Sequence, residues 1–444
     1  IGAQLQKKTD GIAITNVILG GPVWKGKLLE VGDQILKVGQ GSAEPVDVVG
    51  MRLDDAVKLI KGPKGTEVRL TVKRVDGTIE VVPIIRDVVE IEETYAKSAV
   101  ILSNGKRYGL IYLPKFYINF EDTNQRNAAT DVALEIEKLK KENIDGLIVD
   151  LRSNGGGSLK TVVDIGGFFI PKGPIVQVKS SRGSRDVLSD NDPKTQWDGS
   201  LVILTNELSA SASEILAAAM QDYKRAIIIG GKQTFGKGTV QQSRSLNFVY
   251  DLDQTPLGVL QYTIQKFYRI NGGSTQLKGV AADINFPEII DAKEIGEEKE
   301  DNALPWDKIP PATYSETNKA RKDVEALNEK HLERIAKDPE FIALNEDLKI
   351  RDERRERKFL SLNFQERKAE NDKDDARRLK DLNARFKREG KKALKDIDDL
   401  PKDYEAPDFF LKEAEKMAAD LVKLNANQQK VDAEIKQEAA KATK

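Results

Sequence analysis

Two short stretches hold side chains able to do covalent chemistry. Ser209-Ala210-Ser211-Ala212-Ser213-Glu214 offers three serines, and Thr234-Phe235-Gly236-Lys237-Gly238-Thr239-Val240-Gln241 offers a lysine inside a glycine loop. A serine nucleophile needs a base, and the chain has a single histidine, His331, in a charged C-terminal stretch. Carboxylates, or a lysine made neutral by burial, are therefore the candidate bases. An amine withdrawn from water loses proton affinity, and only its neutral form can deprotonate a hydroxyl. A third stretch, Asp150-Leu151-Arg152-Ser153-Asn154-Gly155-Gly156-Gly157, brings backbone amides close to a ligand, as an oxyanion site requires.

Each stretch also has a plainer reading. Ser211 and Glu214 fit the S-x-x-E capping box of a helix start, although a helix N-terminus also stabilises a nearby oxyanion. Gly231 to Lys237 has the spacing of a phosphate loop, but Gly238 stands where Ser or Thr would hold magnesium, and Thr239 onward looks extended. Asp150 to Gly157 fits a tight strand-to-helix turn. Asp222, on the same predicted helix as Ser211, reads as a surface or structural carboxylate able at most to orient the lysine.

The elements that must position these groups follow from periodicity. Residues 1 to 86 alternate as short strands, interrupted by one amphipathic helix, Leu53 to Ile60, with Asp54 and Asp55 near its start. From 87 to 304 the order is strand, turn, helix, repeated: a helix over Ala129–Glu142, an apolar strand over Gly146–Leu151, a helix from Ser158, then a strand over Leu201–Thr205 and a helix over Ala212–Tyr223. Such units predict an α/β domain with its chemistry at strand ends. From 305 to 444 the composition turns to dense Lys, Glu, Asp and Arg with leucines at helical spacing, which predicts a charged helical C-terminal domain from about 316.

Composition narrows the function classes. The 444 residues exceed what a single core usually holds, so several domains are expected. With 71 basic against 72 acidic residues, a nucleic-acid footprint is not expected. Zero cysteines and one histidine exclude disulfides and thiolate metal sites, and no metal or cofactor is expected. No apolar run reaches membrane-spanning length, and no export signal is visible. The chain opens on Ile1-Gly2-Ala3, directly inside a strand pattern, so upstream residues are expected.

Taken in order, these three motifs resemble those of the C-terminal processing peptidases, and in particular the tail-specific branch of Gram-negative bacteria. The likeness continues through Gln261–Arg269, Asn271–Gln276, Asn302–Asp307 and Arg334–Phe341. It implies a multidomain α/β architecture: a PDZ domain over 1–86, a mixed α/β serine-protease core of the ClpP/crotonase type over 87–304, and the helical domain over 305–444. It implies a serine endopeptidase in which Ser211 is the nucleophile, Lys237 the base and Gln241 its support, with Asp222 as a third relay member. Gly156, Gly157 and the Ala212 amide match the oxyanion site, and Glu214 and Thr234 match positions that support activity.

By the same resemblance the loop of Ile1, Gly2 and Ala3, with Gln4 and Leu5 of the following strand, binds the C-terminal carboxylate of a substrate, the peptide adding as a strand. The PDZ loop is then cut at the start of the chain. Expected partners are proteins with apolar C-termini, a lipoprotein adaptor and cell-wall hydrolases, and the expected location is the periplasm with inner-membrane association. One departure stands out: Ser211 and Lys237 are 26 residues apart, one more than the family pattern, with the extra residue between Gly230 and Thr234. The rival readings are a catalytically silent PDZ scaffold that binds tails, and a nucleotide-binding protein using the Gly231–Lys237 loop.

Overall fold

The computed structural model describes residues 1–8, 11–18, 20–87, 89, 94–103, 105–119, 125–247, 257–288, 290–317, 324–401 and 403–442. The chain divides into two compact units, Ile1–Tyr95 and Ala96–Lys444.

The first unit is an antiparallel sheet with two helices. Its elements are β1 (Ala3–Lys8), β2 (Gly11–Val17), α1 (Pro22–Gly26), β3 (Gln34–Gln40), β4 (Val46–Asp47), α2 (Leu53–Ile60), β5 (Glu67–Lys73) and β6 (Ile79–Ile85). The strand order is β1-β2-β3-β5-β6, with β4 paired to β3. Strict alternation in β5 sends Val68, Leu70 and Val72 into the core, where they join Ile12, Ile14, Ile35 and, from α2, Ala56 and Ile60. Asp54 and Asp55 sit in the first turn of α2, where negative charge favours the helix.

The second unit is built on a six-stranded sheet. Its elements are β7 (Lys97–Ser103), β8 (Lys106–Tyr112), α3 (Ala128–Lys141), β9 (Gly146–Asp150), α4 (Leu159–Gly167), β10 (Gly173–Ser180), β11 (Arg185–Asp190), β12 (Ser200–Thr205), α5 (Ala212–Asp222), β13 (Ile227–Gly230), β14 (Thr239–Ser245), β15 (Val259–Tyr268) and β16 (Ile284–Asn285). The main sheet runs β16-β13-β12-β9-β8-β7, and a four-stranded sheet runs β11-β10-β15-β14. In the main sheet β8, β9, β12, β13 and β16 are parallel. Their C-terminal ends therefore lie together, and the serine, lysine and glycine loops all leave from that edge.

Both faces of this sheet are apolar. In β9, Leu147 and Val149 join one core with α3, α4 and α5, while Ile148 faces the other way. In β12, Leu201 and Ile203 do the same, against Val202 and Leu204. The second face is covered by the last helices: α6 (Val324–Ile335), α7 (Pro339–Arg355), α8 (Phe364–Arg388) and α9 (Phe409–Ala442) follow in the chain, and Leu327 of α6 with Ala414, Met417, Ala418, Leu421 and Val422 of α9 pack on Tyr108, Ile148, Val202, Leu204, Ile227 and Ile229. The helices expected from 305 onward thus pack on the second face of the sheet, in one compact unit with it, as a parallel sheet must be covered on both faces. Of that stretch, residues 318–323, 402, 443 and 444 lie outside the described residues. His331 is fully buried there, stacked on Phe286 with centroids 5.0 Å apart and with Nδ1 3.1 Å from Glu413 Oε1. It serves the packing of the helices. No helix among the described residues is long and apolar enough to cross a membrane.

Candidate active site

Ser211 stands at the head of α5, at the end of the loop leaving β12. Its backbone has φ 57° and ψ −110°, a conformation that costs a non-glycine residue energy and persists only where neighbours enforce it. The enforcing contacts come from the glycine turn after β9. Ser209 Oγ donates to Leu151 O at 2.8 Å, the Ala210 amide to Asn154 O at 3.0 Å, and Ser213 Oγ to Asn154 O at 2.8 Å. Ser209 and Ser213 are fully buried by this use. Of the three serines only Ser211 keeps a partly exposed side chain.

The glycine turn is shaped around that serine. Gly156 has φ 101°, and a Cβ there would lie 2.7 Å from Ser211 Cβ and 3.0 Å from the Ala212 amide nitrogen. Gly157 has φ 145°, and its Cβ would lie 2.2 Å from Phe116 O. Both positions exclude any side chain. The expected pair of oxyanion glycines is split by their hydrogen bonds: the Gly156 amide donates to Asn154 Oδ1 at 2.9 Å and is consumed. Among the described residues no hydrogen bond is made by the amides of Gly157 and Ala212, so both remain able to donate to a ligand.

Glu214 joins the serine to the lysine loop. Its carboxylate, fully buried, accepts the Ser211 amide (2.6 Å) and the Lys237 amide (3.0 Å) on Oε2, and Thr234 Oγ1 (2.6 Å) and the Gly236 amide (2.7 Å) on Oε1. Burial pushes the carboxyl up to about 7, against the opposing pull of those four donors. The capping-box glutamate is therefore also a bracket across two loops. Thr234 is held further by the Val280 amide, 2.8 Å from its Oγ1.

The extra residue before the lysine is absorbed upstream of Thr234. Gly230 turns with φ 130°, the Lys232 amide donates to Glu288 Oε1 at 2.7 Å, and Gln233 bridges Ala281. From Thr234 on, the loop is fixed by Glu214. The same bonds remove the phosphate-loop reading: the Gly236 and Lys237 amides are taken by Glu214, and the Gly238 amide by Gln276 Oε1 at 2.8 Å. A carboxylate, not a phosphate, fills that nest.

Lys237 itself is half-buried rather than enclosed, which differs from the desolvated amine that the sequence suggests. Its Nζ donates to Gln241 Oε1 at 3.1 Å, and Gln261 Nε2 donates to the same oxygen at 2.9 Å. No hydrogen bond joins Lys237 Nζ to Ser211 Oγ. Asp222 is not brought to the site. It lies at the far end of α5, roughly 16 Å along the axis from Ser211, held by Arg269 (3.1 and 2.5 Å) and Asn271 (2.8 Å). Asn154, Asn206 and Gln276 hold the loops around the site and were not singled out from the sequence; Asn206 Oδ1 accepts the Ser153 amide at 2.8 Å. Asn154 lies in the quoted glycine motif and Gln276 in the Asn271–Gln276 stretch, but their roles depend on contacts between loops.

In the first unit, Ile1 O accepts the Val23 amide (3.1 Å) and Gly2 O the Ile18 amide (2.9 Å), and Gly2 has φ 84° against Gly21. Ala3, Gln4 and Leu5 belong to β1, the edge strand of its sheet. Leu5, Met51 and Leu53 are partly buried beside it, which gives a strand edge lined by apolar side chains.

Comparison with known proteins places the chain among related sequences. Residues 1–73 match the model of the PDZ domain, 107–286 that of peptidase family S41, and 290–423 that of the C-terminal domain of tail specific protease. The chain is 60% identical over 432 residues to a tail-specific protease of Haemophilus influenzae, covering 96% of this chain and 61% of that protein. It is 33% identical over 289 residues to a probable CtpA-like serine protease of Staphylococcus epidermidis, covering 64% of this chain and 52% of that one. A solved PDZ domain of a carboxy-terminal protease from Vibrio cholerae, in complex with peptide, is 49% identical over 20% of this chain and 91% of that one, with a TM-score of 0.19. The chain spans about three-fifths of the length of the Haemophilus relative. Residues 107–286 match peptidase family S41, between a PDZ domain and the C-terminal domain of a tail-specific protease.

Proposed function

We propose that this protein is a serine endopeptidase that captures the apolar C-terminal tail of a protein substrate on its PDZ unit and cleaves the chain with a Ser211–Lys237 dyad. Lys237 Nζ takes the Ser211 proton as Oγ attacks the scissile carbonyl. The oxyanion is held by the Gly157 and Ala212 amides, and the lysine then protonates the leaving amine. Water, deprotonated by the same lysine, releases the acyl group from Ser211. Before the first step Nζ must leave Gln241 and turn to Ser211, and Gln241 then serves as the resting partner that keeps the amine within reach.

The observation that carries this reading is the buried Glu214 carboxylate, which accepts both the Ser211 and the Lys237 amides. A fold with no use for the pair has no reason to bury a carboxylate between them. Tail capture is supported by the edge strand β1 and the Gly2 turn beside it. Family likeness extends the proposal to a periplasmic location, to a lipoprotein adaptor and to cell-wall hydrolases as substrates.

The test is cleavage of an unstructured polypeptide ending in apolar residues. Ser211→Ala and Lys237→Ala are each expected to lower kcat by about a thousandfold or more, and amidation of the substrate's C-terminus to raise KM. Retained cleavage in Lys237→Ala overturns the lysine base. Tail binding without any cleavage by the unaltered protein supports a silent scaffold instead.

A further inference from the structure

We infer that Arg152 and Asp408 form a clamp through which the head of α9 positions the oxyanion turn. The inference rests on the serine-peptidase reading above. Arg152 follows β9 by two residues and stands at the start of the turn that carries Gly156 and Gly157. Its guanidinium is shared between two carboxylates. Nε lies 3.0 Å from Asp150 Oδ1 and Nη2 2.6 Å from Asp150 Oδ2, while Nη1 and Nη2 reach Asp408 Oδ1 and Oδ2 at 3.1 and 2.6 Å. The Arg152 amide also donates to Asp150 Oδ1 at 3.0 Å. Main chain and side chain are thus fixed to β9, and the outer fork is fixed to a residue 256 positions away.

Asp408 is itself anchored, since it accepts the Leu411 amide at 2.9 Å and so caps α9. Two residues on, Phe410 stacks on Phe286, with centroids 5.7 Å apart. The Phe286 amide donates to Gly230 O at 2.6 Å, and Gly230 is the residue from which the lysine loop leaves β13. One helix head therefore bears on the departure points of both catalytic loops. The planar, two-pronged geometry needs an arginine, because a lysine presents a single point charge.

An oxyanion donor works only if aimed at the oxygen as it develops, and small misplacement costs rate rather than binding. Arg152 and Asp408 are accordingly positioning residues. The variants are Asp408→Asn, which keeps the cap, the volume and the hydrogen-bonding oxygen for Leu411, and Arg152→Lys, which keeps the charge. In the full-length protein each is expected to lower kcat by about tenfold or more with KM within about twofold, and to weaken binding of a peptide boronic acid, which bonds the serine oxygen and fills the oxyanion site, by the same factor. Affinity for a free tail peptide and the melting temperature stay as in the unaltered protein.

An unchanged kcat overturns the clamp. So does a fall in kcat with boronate affinity intact, or one that tracks a fall in melting temperature. If the unaltered protein binds no boronate, or Ser211→Ala still cleaves, the serine reading has failed and the clamp falls with it.

Discussion

At the scale of single residues the carboxyl of Glu214 is the most exacting group. Its ionised form is the one that accepts four donors, yet burial raises it to about 7 from an ordinary 4.5. A carboxyl raised in the folded state contributes stability that is fully present below pH 4.5 and is lost as pH rises through 7. Glu214→Gln is expected to flatten that slope, worth about 3 kcal/mol between the two limits, in urea melts across this range. Activity should run the other way. A protonated Glu214 loses the negative charge that holds the Ser211, Gly236 and Lys237 amides, so kcat is expected to rise with pH through about 7, and that limb should vanish in Glu214→Gln. A limb near 7 that persists in the variant assigns the titration to another group. The residues that the structure gathers here, Ser211, Lys237, Gln241 and the glycine turn, were quoted from the sequence because they lie in short local motifs, while their roles rest on the resemblance. The grip of Glu214 on the lysine loop was not legible there, since the capping box explains the glutamate from local spacing alone.

At the scale of elements, helix α5 shows what linear spacing conceals. Ser211 and Asp222 share one helix, but opposite ends of it, and the carboxylate pairs with Arg269 and Asn271 on the turn after β15. Asp222 is 8% exposed and the Arg269 side chain 17%, so breaking the pair strands a nearly buried charge at a cost of about 3 kcal/mol. Asp222→Ala and Arg269→Ala are expected to lose activity and melting temperature together and to a similar extent, with the double variant little worse than either. A relay role for Asp222 predicts instead a loss of kcat at unchanged melting temperature. Strands and helices were read to within a residue or two, as in α3, β9 and α5, because their apolar periods are strong. The pairing of α5 with β15 depends on contacts across 47 residues, which no period encodes.

At the scale of the molecule, the charged composition after residue 305 gave a helical domain but not its place, and α9 closes the second face of the main sheet. The apolar stripe of α9 is sparse in sequence, but its partners Ile148, Val202 and Ile229 are the residues that a parallel sheet must hide. Leu421→Ala, at a site 1% exposed, is expected to cost about 2 to 5 kcal/mol, read as a lower urea midpoint for unit 96–444 with the tail affinity of unit 1–95 unchanged. In the proposed mechanism, the hydrogen bond from Lys237 to Gln241 is one contact that a captured tail would have to break. If Nζ turns between Gln241 and Ser211, a preference of about 1.4 kcal/mol for Gln241 divides turnover roughly tenfold. A captured tail that erases only this preference returns that factor, so a ratio of stimulated to basal rate beyond it assigns the remainder to other groups, the oxyanion turn first among them.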